Sequence, residues 1–211
     1  AAWVGGGGVG RGVGGGGRIQ ATQSSIRYVT ISTPGNSTSF GNLAYWSAFY
    51  GHTGTSNGTS DRGLLISDLN IEYVTISSTG NAAGTWTYSH GESVSPGATS
   101  NGVNNRAVMN VNASYANIQY VTISSLTNAT AFGYLYVDRR GAMPVSNATD
   151  ERAVFIGDAD NGVNTMDYIT ISTTGNAVDF GDALVQKRQC STTSNGTNER
   201  GVMTGANFGN S

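Results

Sequence analysis

A single cysteine, Cys190, stands among the 211 residues, which excludes an internal disulfide and leaves no cysteine pair at metal-ligand spacing. Charge is equally scarce. Only 11% of residues are charged and the formal net charge is −2, so no basic surface is available to grip a phosphate backbone. Nucleic acid is therefore not expected as a partner. No run of about 18 apolar residues occurs, and the N-terminus lacks the basic-then-apolar pattern of a secretory signal. A soluble chain without membrane insertion is expected, and its start at Ala1 rather than at a methionine suggests a processed or excised form. There are three prolines but 31 glycines, with many serines, threonines and asparagines. Such a composition leans toward disorder, yet β-branched and aromatic residues recur here in ordered clusters. The length suits one domain with a sizeable core.

That recurrence is the main signal. Ile26-Arg27-Tyr28-Val29-Thr30-Ile31-Ser32 is echoed from Ile71 to Ser77, from Ile118 to Ser124 and from Met166 to Ser172. The four tyrosines, Tyr28, Tyr73, Tyr120 and Tyr168, are 45, 47 and 48 residues apart. These intervals exceed one coil of a leucine-rich or β-helical solenoid and match a three- or four-stranded propeller blade. Other landmarks keep phase. An aromatic follows each tyrosine by 12 or 13 residues, at Phe40, Trp86, Phe132 and Phe180. A Ser-Asn pair, at Asn57, Asn101, Asn147 and Asn195, is followed after five residues by Arg62, Arg106, Arg152 and Arg200.

Tyr-Val-Thr-Ile-Ser alternates bulky β-formers with hydroxyls, as a strand with one face in a core should. It ends in turn chemistry, such as Ser-Thr-Gly-Asn81 and Thr-Thr-Gly-Asn176, where glycine and asparagine tolerate positive φ. A second strand carries the aromatic and a leucine, as in Phe132-Gly-Tyr-Leu135. A Ser-Asn-Gly loop then leads to a third strand opened by the arginine, as in Arg106-Ala-Val-Met109. No segment holds a 3.6-residue apolar period, so few or no helices are expected.

Tyr168-Ile-Thr-Ile-Ser-Thr-Thr-Gly-Asn-Ala-Val-Asp-Phe-Gly-Asp182, followed by Ser194-Asn-Gly-Thr and Arg200-Gly-Val, resembles the kelch-like repeats of structural and tail-associated proteins of marine bacteriophages, especially cyanophages. The resemblance covers residues 26 to 204. It implies an all-β, kelch-like β-propeller of four blades of about 46 residues, with a partial fifth as a variant. A Gly-rich arm and lead-in strand would occupy residues 1–25, and the propeller residues 26–211, with repeats at about 26–70, 71–117, 118–165 and 166–211. The paired glycines usual after the Arg-Gly-Val strand stand only in the arm; Ile66-Ser-Asp68 or Ile156-Gly-Asp158 replaces them elsewhere.

The ends do not balance. Trp3-Val-Gly-Gly-Gly-Gly8 and Arg11-Gly-Val-Gly-Gly-Gly-Gly17 both look like truncated Arg-Gly-Val strands, and a full one follows Arg200. With the C-terminal strand completing the first blade, the arm is left over. Residues 1–17, with Trp3, Val4, Arg11 and Val13 as the contacts, then either add to a neighbouring subunit as extended backbone or form a flexible linker.

Candidates for chemistry are few. His52 and His90 lie in variable loops without a carboxylate or cysteine pattern and read as exposed loop residues, not metal ligands. Asp158-Ala-Asp160-Asn-Gly162 has its glycine one position early for a calcium loop and reads as a turn. Cys190, near Lys187 and Arg188, lacks a base partner and reads as inert. No Gly-x-Ser-x-Gly elbow and no carboxylate pair is evident, so neither catalysis nor a cofactor is expected. The repeating arginines either face a central channel to bind anions or clamp carbonyls of the neighbouring blade, the second being favoured by their fixed offset. The repeated tyrosines and Phe/Trp positions read as inter-blade core. Tyr45, Trp46, Tyr50 and His52 depart most from their repeat mates, and either stack on sugar rings or enrich a core strand. Six Asn-x-Ser/Thr triplets, at Asn36, Asn57, Asn112, Asn128, Asn147 and Asn195, are explained by turn chemistry.

Two functions follow as expectations. The resemblance, the low charge and the spare arm point to a non-catalytic structural or surface component of a phage virion, a tail, fibre or capsid-decoration subunit, partnered by other virion subunits or by itself. The alternative is a lectin-like propeller that binds a cell-surface glycan. A propeller enzyme would need acids gathered in a central pocket, and none is evident.

Overall fold

The structure is a computed structural model that describes residues 2–5, 10–15, 18–19, 21–22, 24–45, 52–67, 70–88, 96–111, 116–125, 127–147, 150–159, 161–196 and 198–207. Among these residues there are 19 strands and no helix, so no helix is long and apolar enough to cross a membrane. In the first sheet β1 (Ala2–Gly5), β2 (Arg11–Gly15), β5 (Ser25–Thr30) and β6 (Thr38–Asn42) lie in that order, with a small ribbon of β3 (Arg18–Ile19) and β4 (Ala21–Thr22) inserted in the chain. The second sheet holds β7 (Thr53–Thr55), β8 (Arg62–Ile66), β9 (Ile71–Thr75) and β10 (Ala83–Trp86). The third holds β11 (Gly97–Thr99), β12 (Arg106–Asn110), β13 (Asn117–Thr122) and β14 (Thr130–Tyr134). The last has five strands: β15 (Met143–Ser146), β16 (Arg152–Ile156), β17 (Val163–Thr170), β18 (Val178–Thr193) and β19 (Val202–Asn207). Every ladder in these sheets is antiparallel.

Three features differ from the sequence expectation. Ala2–Gly5 and Arg11–Gly15 are not a free arm: β2 pairs with β5 in the register Arg11↔Thr30 and Val13↔Tyr28, and Val13 is fully buried. Glycine keeps both backbone hydrogen-bonding groups, so a glycine-rich segment completes a ladder where close packing leaves little room for side chains. The C-terminal strand β19 pairs with β18, not with the first sheet. β18 takes two partners along its length: Val178 to Lys187 pair with β17, and Lys187 to Thr193, across a bulge near Gln189 at φ 50°, pair with β19. Finally, the second, third and last sheets open two strands earlier than the 71–117, 118–165 and 166–211 phasing places them, on the short strand before the Ser-Asn loop.

Successive sheets stack face to face, which buries both faces of the Tyr strands in the second and third sheets and not one. Val13, Ile26, Phe40, Leu65, Val74 and Ile76 fill the space between the first two sheets. Leu64, Ile71, Met109, Val121 and Ile123 fill the next, and Val108, Ile118, Phe132, Phe155, Ile169 and Ile171 the third. Adjacent Leu64 and Leu65 thus serve opposite cores, as strand alternation requires. Each fully buried isoleucine contributes roughly 1.5–3 kcal/mol.

The outer strands meet through backbone. Gly80 N–H donates to Phe40 O at 2.8 Å and Ala82 N–H to Asn42 O at 2.9 Å, while Asn81 Oδ1 accepts from Asn42 N–H at 3.0 Å. The same docking recurs between the third and last sheets, where Gly175 N–H donates to Phe132 O at 3.0 Å and Asn176 Oδ1 accepts from Tyr134 N–H at 3.2 Å. The Gly-Asn turns of the second and last sheets therefore seat on the aromatic strand of the sheet before.

Candidate functional site

The inner-edge strands pack in the order β1, β7, β11, β15 and the C-terminal half of β18. Four of them, β7, β11, β15 and β18, with the Ser-Asn loops that follow, line a cavity of about 790 Å³. Its wall carries Thr53, Thr55, Thr99, Thr193 and the four repeated asparagines, with Met143, Pro144 and Val145 as the apolar part and His52 as the one titratable group.

Much of this polar lining is already engaged by the fold. Ser194 Oγ donates to Ser146 O at 2.6 Å, and Ser146 Oγ donates to Ser100 O at 2.9 Å. Thr192 Oγ1 adds a bond to Pro144 O at 2.7 Å. The hydroxyls stitch each inner strand to the one before it. The asparagines fold their own loops: Asn57 Oδ1 accepts from Ser60 N–H at 3.0 Å, Asn101 Oδ1 from Asn104 N–H at 3.0 Å, Asn147 Oδ1 from Asp150 N–H at 3.1 Å and Asn195 Oδ1 from Asn198 N–H at 2.9 Å. Such side-chain turns set the five-residue offset to the arginine, because each fixes the direction in which the next strand leaves.

The arginines reach sideways and not into the cavity. Arg11 Nη1 donates to Ile76 O at 3.2 Å and Ser77 O at 2.6 Å; Arg62 Nη1 donates to Ile123 O at 3.1 Å and Ser124 O at 2.6 Å. Arg106 Nη1 does the same to Ile171 O at 3.0 Å and Ser172 O at 2.8 Å. Each guanidinium also lies over the tyrosine of its own sheet, at 4.8 Å for Arg11 on Tyr28, 5.0 Å for Arg62 on Tyr73, 4.6 Å for Arg106 on Tyr120 and 4.9 Å for Arg152 on Tyr168. The tyrosine in turn packs on the aromatic of the next strand, with centroids 6.2 Å apart for Tyr28–Phe40 and 5.5 Å for the stacked Tyr73–Trp86. For Arg200 the structure shows no corresponding ring among the described residues. Replacing Arg106 with glutamine is expected to cost roughly 1.5–3 kcal/mol, as two charge-assisted bonds are lost. Arg152→Gln, which gives up a stacking contact at an exposed site, is expected to cost less than about 1 kcal/mol. Denaturant unfolding of the two variants side by side checks the difference.

Of the group Tyr45, Trp46, Tyr50 and His52 in the first unit, the structure describes Tyr45 and His52. Tyr45 is exposed in the bend after β6, with its backbone N–H on Glu72 Oε1 at 2.7 Å. His52 stands apart from it in the cavity wall, half-buried and not an exposed loop residue, and burial lowers its pKa. Trp46, Tyr50 and His90 lie outside the described residues. Cys190 is buried, and burial raises its thiol pKa against the pull of Lys187. Asp158 Oδ1 accepts from Asn161 N–H at 3.0 Å, closing a turn, while Asp160 is outside the described residues. No group of three His, Cys, Asp or Glu side chains able to hold a metal is found among the described residues.

Sequence reasoning missed a second set of repeated sites. In the second and last sheets the residue before the tyrosine is turned to the preceding interface: Glu72 Oε1 accepts from Ala44 N–H at 2.8 Å, and Asp167 Oδ2 accepts from Tyr136 N–H at 2.8 Å. Burial raises the Glu72 pKa, and these backbone donors pull it back. Asp167 is joined by Arg139, whose Nη2 lies 3.1 Å from Oδ1 with both side chains fully buried. This is an ion pair without hydrogen-bond alignment, since Asp167 Oδ1 accepts no hydrogen bond. Burial lowers the Arg139 pKa, opposed by Asp167 and Asp158. The signal lay in the alternation itself, where Glu72, Gln119 and Asp167 occupy one repeated position.

No family model matches the chain, and no curated protein matches it. Among solved structures, hydrazine synthase of Kuenenia stuttgartiensis aligns with a TM-score of 0.52 at 11% identity, covering 81% of this chain and 45% of that one. At that identity the likeness is one of fold alone, and this chain spans less than half the length of the protein it matches.

Proposed function

We propose that the chain is a kelch-like β-propeller segment, four complete blades and the inner half of a fifth, that acts without catalysis as a structural or surface component of a phage virion. Its partners are other virion subunits or further copies of itself, in a tail, fibre or capsid-decoration position. One observation carries the assembly reading. Ile76, Ile123 and Ile171 are 0% exposed, whereas their counterpart in the first sheet, Ile31, is 67% exposed; Phe40 and Phe132 are 4% exposed, whereas Phe180 is 47% exposed. The stack thus presents at its two ends the surfaces that its interior sheets bury against each other, and exposed apolar surface of this kind marks association. The engagement of the repeated arginines, serines and asparagines in the fold supports a scaffold role. Immunogold labelling of purified particles with an antibody to this chain is expected to decorate the tail or capsid; purified particles free of the chain would overturn the assignment.

The lectin-like reading has its own support, the neutral hydroxyl- and amide-lined cavity, whose polarity suits an uncharged polyol. A glycan array is its test, with binding lost on Thr99→Val as the result that favours it.

A further inference from the structure

We propose that the outer rim of the stack, at the seam between the third and last sheets, carries a binding site for a neutral glycan, formed by Tyr134, Tyr136, Asn176 and Val178. The site goes beyond both readings above: it stands on β14, at the edge of the third sheet opposite the cavity strand β11, and it does not depend on a place in a virion.

The seam is built by backbone. Phe132 and Leu135 turn into the core at 4% and 5% exposure, while Tyr134 and Tyr136 are 54% and 63% exposed. Gly175 N–H on Phe132 O and Ala177 N–H on Tyr134 O run the two segments in parallel, which sets Tyr134 beside Asn176 and Tyr136 beside Val178. Leu135 and Ala177 are both buried, so alternation turns these four residues outward together, with Val178 exposed. Both tyrosine backbones are pinned, Tyr134 N–H donating to Asn176 Oδ1 and Tyr136 N–H to Asp167 Oδ2. A face held in this way loses little conformational freedom when a ligand settles on it.

The repeat shows that the fold does not ask for these side chains. The same bonds recur from Ala82 N–H to Asn42 O at 2.9 Å and from Ala129 N–H to Thr87 O at 3.2 Å, so Asn42 and Thr87 hold the place of Tyr134. Counting along the chain, Ala44 and Ser89 hold that of Tyr136, and Ala83 and Thr130 that of Val178. Asn42, Ala44, Ala83, Thr87 and Thr130 are exposed as well. The rim is thus open at all three seams, small or polar at two and aromatic at the third. Packing within the stack does not account for the tyrosines, and adjoining exposed apolar side chains mark a contact site.

Size and chemistry select the occupant. Aromatic side chains bury about 150–250 Å² each when enclosed, so this half-exposed face offers on the order of 200–300 Å², far below the roughly 800 Å² per partner of a stable protein interface. One or two sugar rings suit that area. Phenol rings stack on the apolar face of a pyranose, while the tyrosine hydroxyls and the Asn176 side-chain amide meet its hydroxyls. None of the four residues is charged, and the exposed charges that adjoin them in the chain, Asp138 and Asp179, are both acidic. That selects a neutral glycan over a sialylated one.

Array binding with paired variants tests this. On immobilised neutral oligosaccharides of glucose, galactose and mannose, set beside sialylated counterparts, the chain is expected to bind the neutral members alone. Tyr134→Asn and Tyr136→Ala place there the residues of the first unit, so an unchanged thermal melt is expected. Each is expected to lower binding at least about tenfold, equivalent to about 1.4 kcal/mol, and Tyr136→Phe, which keeps the ring, by less. A blank array would overturn the site, as would a preference for sialylated members or binding that survives the Tyr134→Asn, Tyr136→Ala double variant. Binding lost in Thr99→Val but kept in the rim variants would put the sugar in the cavity, overturning the rim site and upholding the lectin-like reading of the cavity. Loss in the rim variants alone would uphold the rim site and remove the cavity. Self-association that the double variant abolishes, on a blank array, would make the face a protein contact and overturn the proposal.

Discussion

Replacing Arg139 with methionine is expected to destabilise the protein by about 3–5 kcal/mol, because Asp167 is then left as a buried charge without its partner. Typical domains hold about 5–15 kcal/mol in total, so the variant sits near the edge of folding. The magnitude follows from burial: both side chains are fully enclosed at the interface of the third and last sheets, and Arg139 Nη2 also donates to Phe155 O at 3.2 Å. Arg139 Nε and Nη1 find no hydrogen-bond partner among the described residues, so the pair is held by proximity and enclosure and not by a saturated network. That makes the site costly to break and cheap to neutralise as a whole. The double variant Arg139→Met with Asp167→Asn is therefore expected to recover much of the loss, since an asparagine oxygen still accepts from Tyr136 N–H. Urea unfolding of both proteins checks this, and a double variant as unstable as the single would refute the stranded-charge explanation.

Gly133→Ala is expected to cost about 3 kcal/mol or more, at the upper end of overpacking effects. A Cβ at this position would stand 2.1 Å from Gly175 O and 2.9 Å from Asn176 N. Those atoms are backbone, held by the bonds from Gly175 N–H to Phe132 O and from Ala177 N–H to Tyr134 O, so no side chain can swing aside. The turn must lift off, and each lost bond adds about 0.5–1.5 kcal/mol. Gly41 meets Gly80 O in the same way at the first interface. Gly175→Ala is the control, because nothing lies within 4 Å of a Cβ there. A thermal melt in which the two variants behave alike would refute the close-approach account.

The residues that carried the repeat in the sequence are those whose neighbours are local. The Tyr and Arg strands were legible because each alternates along its own length and recurs at a constant phase, and pairing such as Leu64↔Tyr73 spans only a tight connection. The inner strands Thr53–Thr55, Gly97–Thr99 and Met143–Ser146 were not, because three or four residues are too few to show an alternation. Arg139 was invisible for a related reason. A charged residue in a loop, here between Asp138 and Arg140, reads as solvated until a second sheet is stacked over it, and the buried Glu72 and Asp167 read as the solvent face of a strand that has no solvent face.

The candidate site divides the same way. Asn57, Asn101, Asn147 and Asn195 were legible as turn formers, and they fold their own loops. That their strands surround a cavity, with His52 in its wall and Tyr45 away from it, depends on how sheets pack and left no trace in spacing.

The sequence by itself determined the strands, their period and the Arg-Tyr-aromatic series in each unit, because hydrogen bonding between adjacent strands and side-chain alternation are set over short distances along the chain. Only the tertiary structure decided where a sheet begins, that both faces of the interior sheets are buried, and which of two equivalent segments holds β5. Arg11-Gly12-Val13 and Arg200-Gly201-Val202 offer that edge the same backbone and the same side chains. A choice between equal local partners is made by packing over the whole row of sheets, through contacts that lie far apart in the chain.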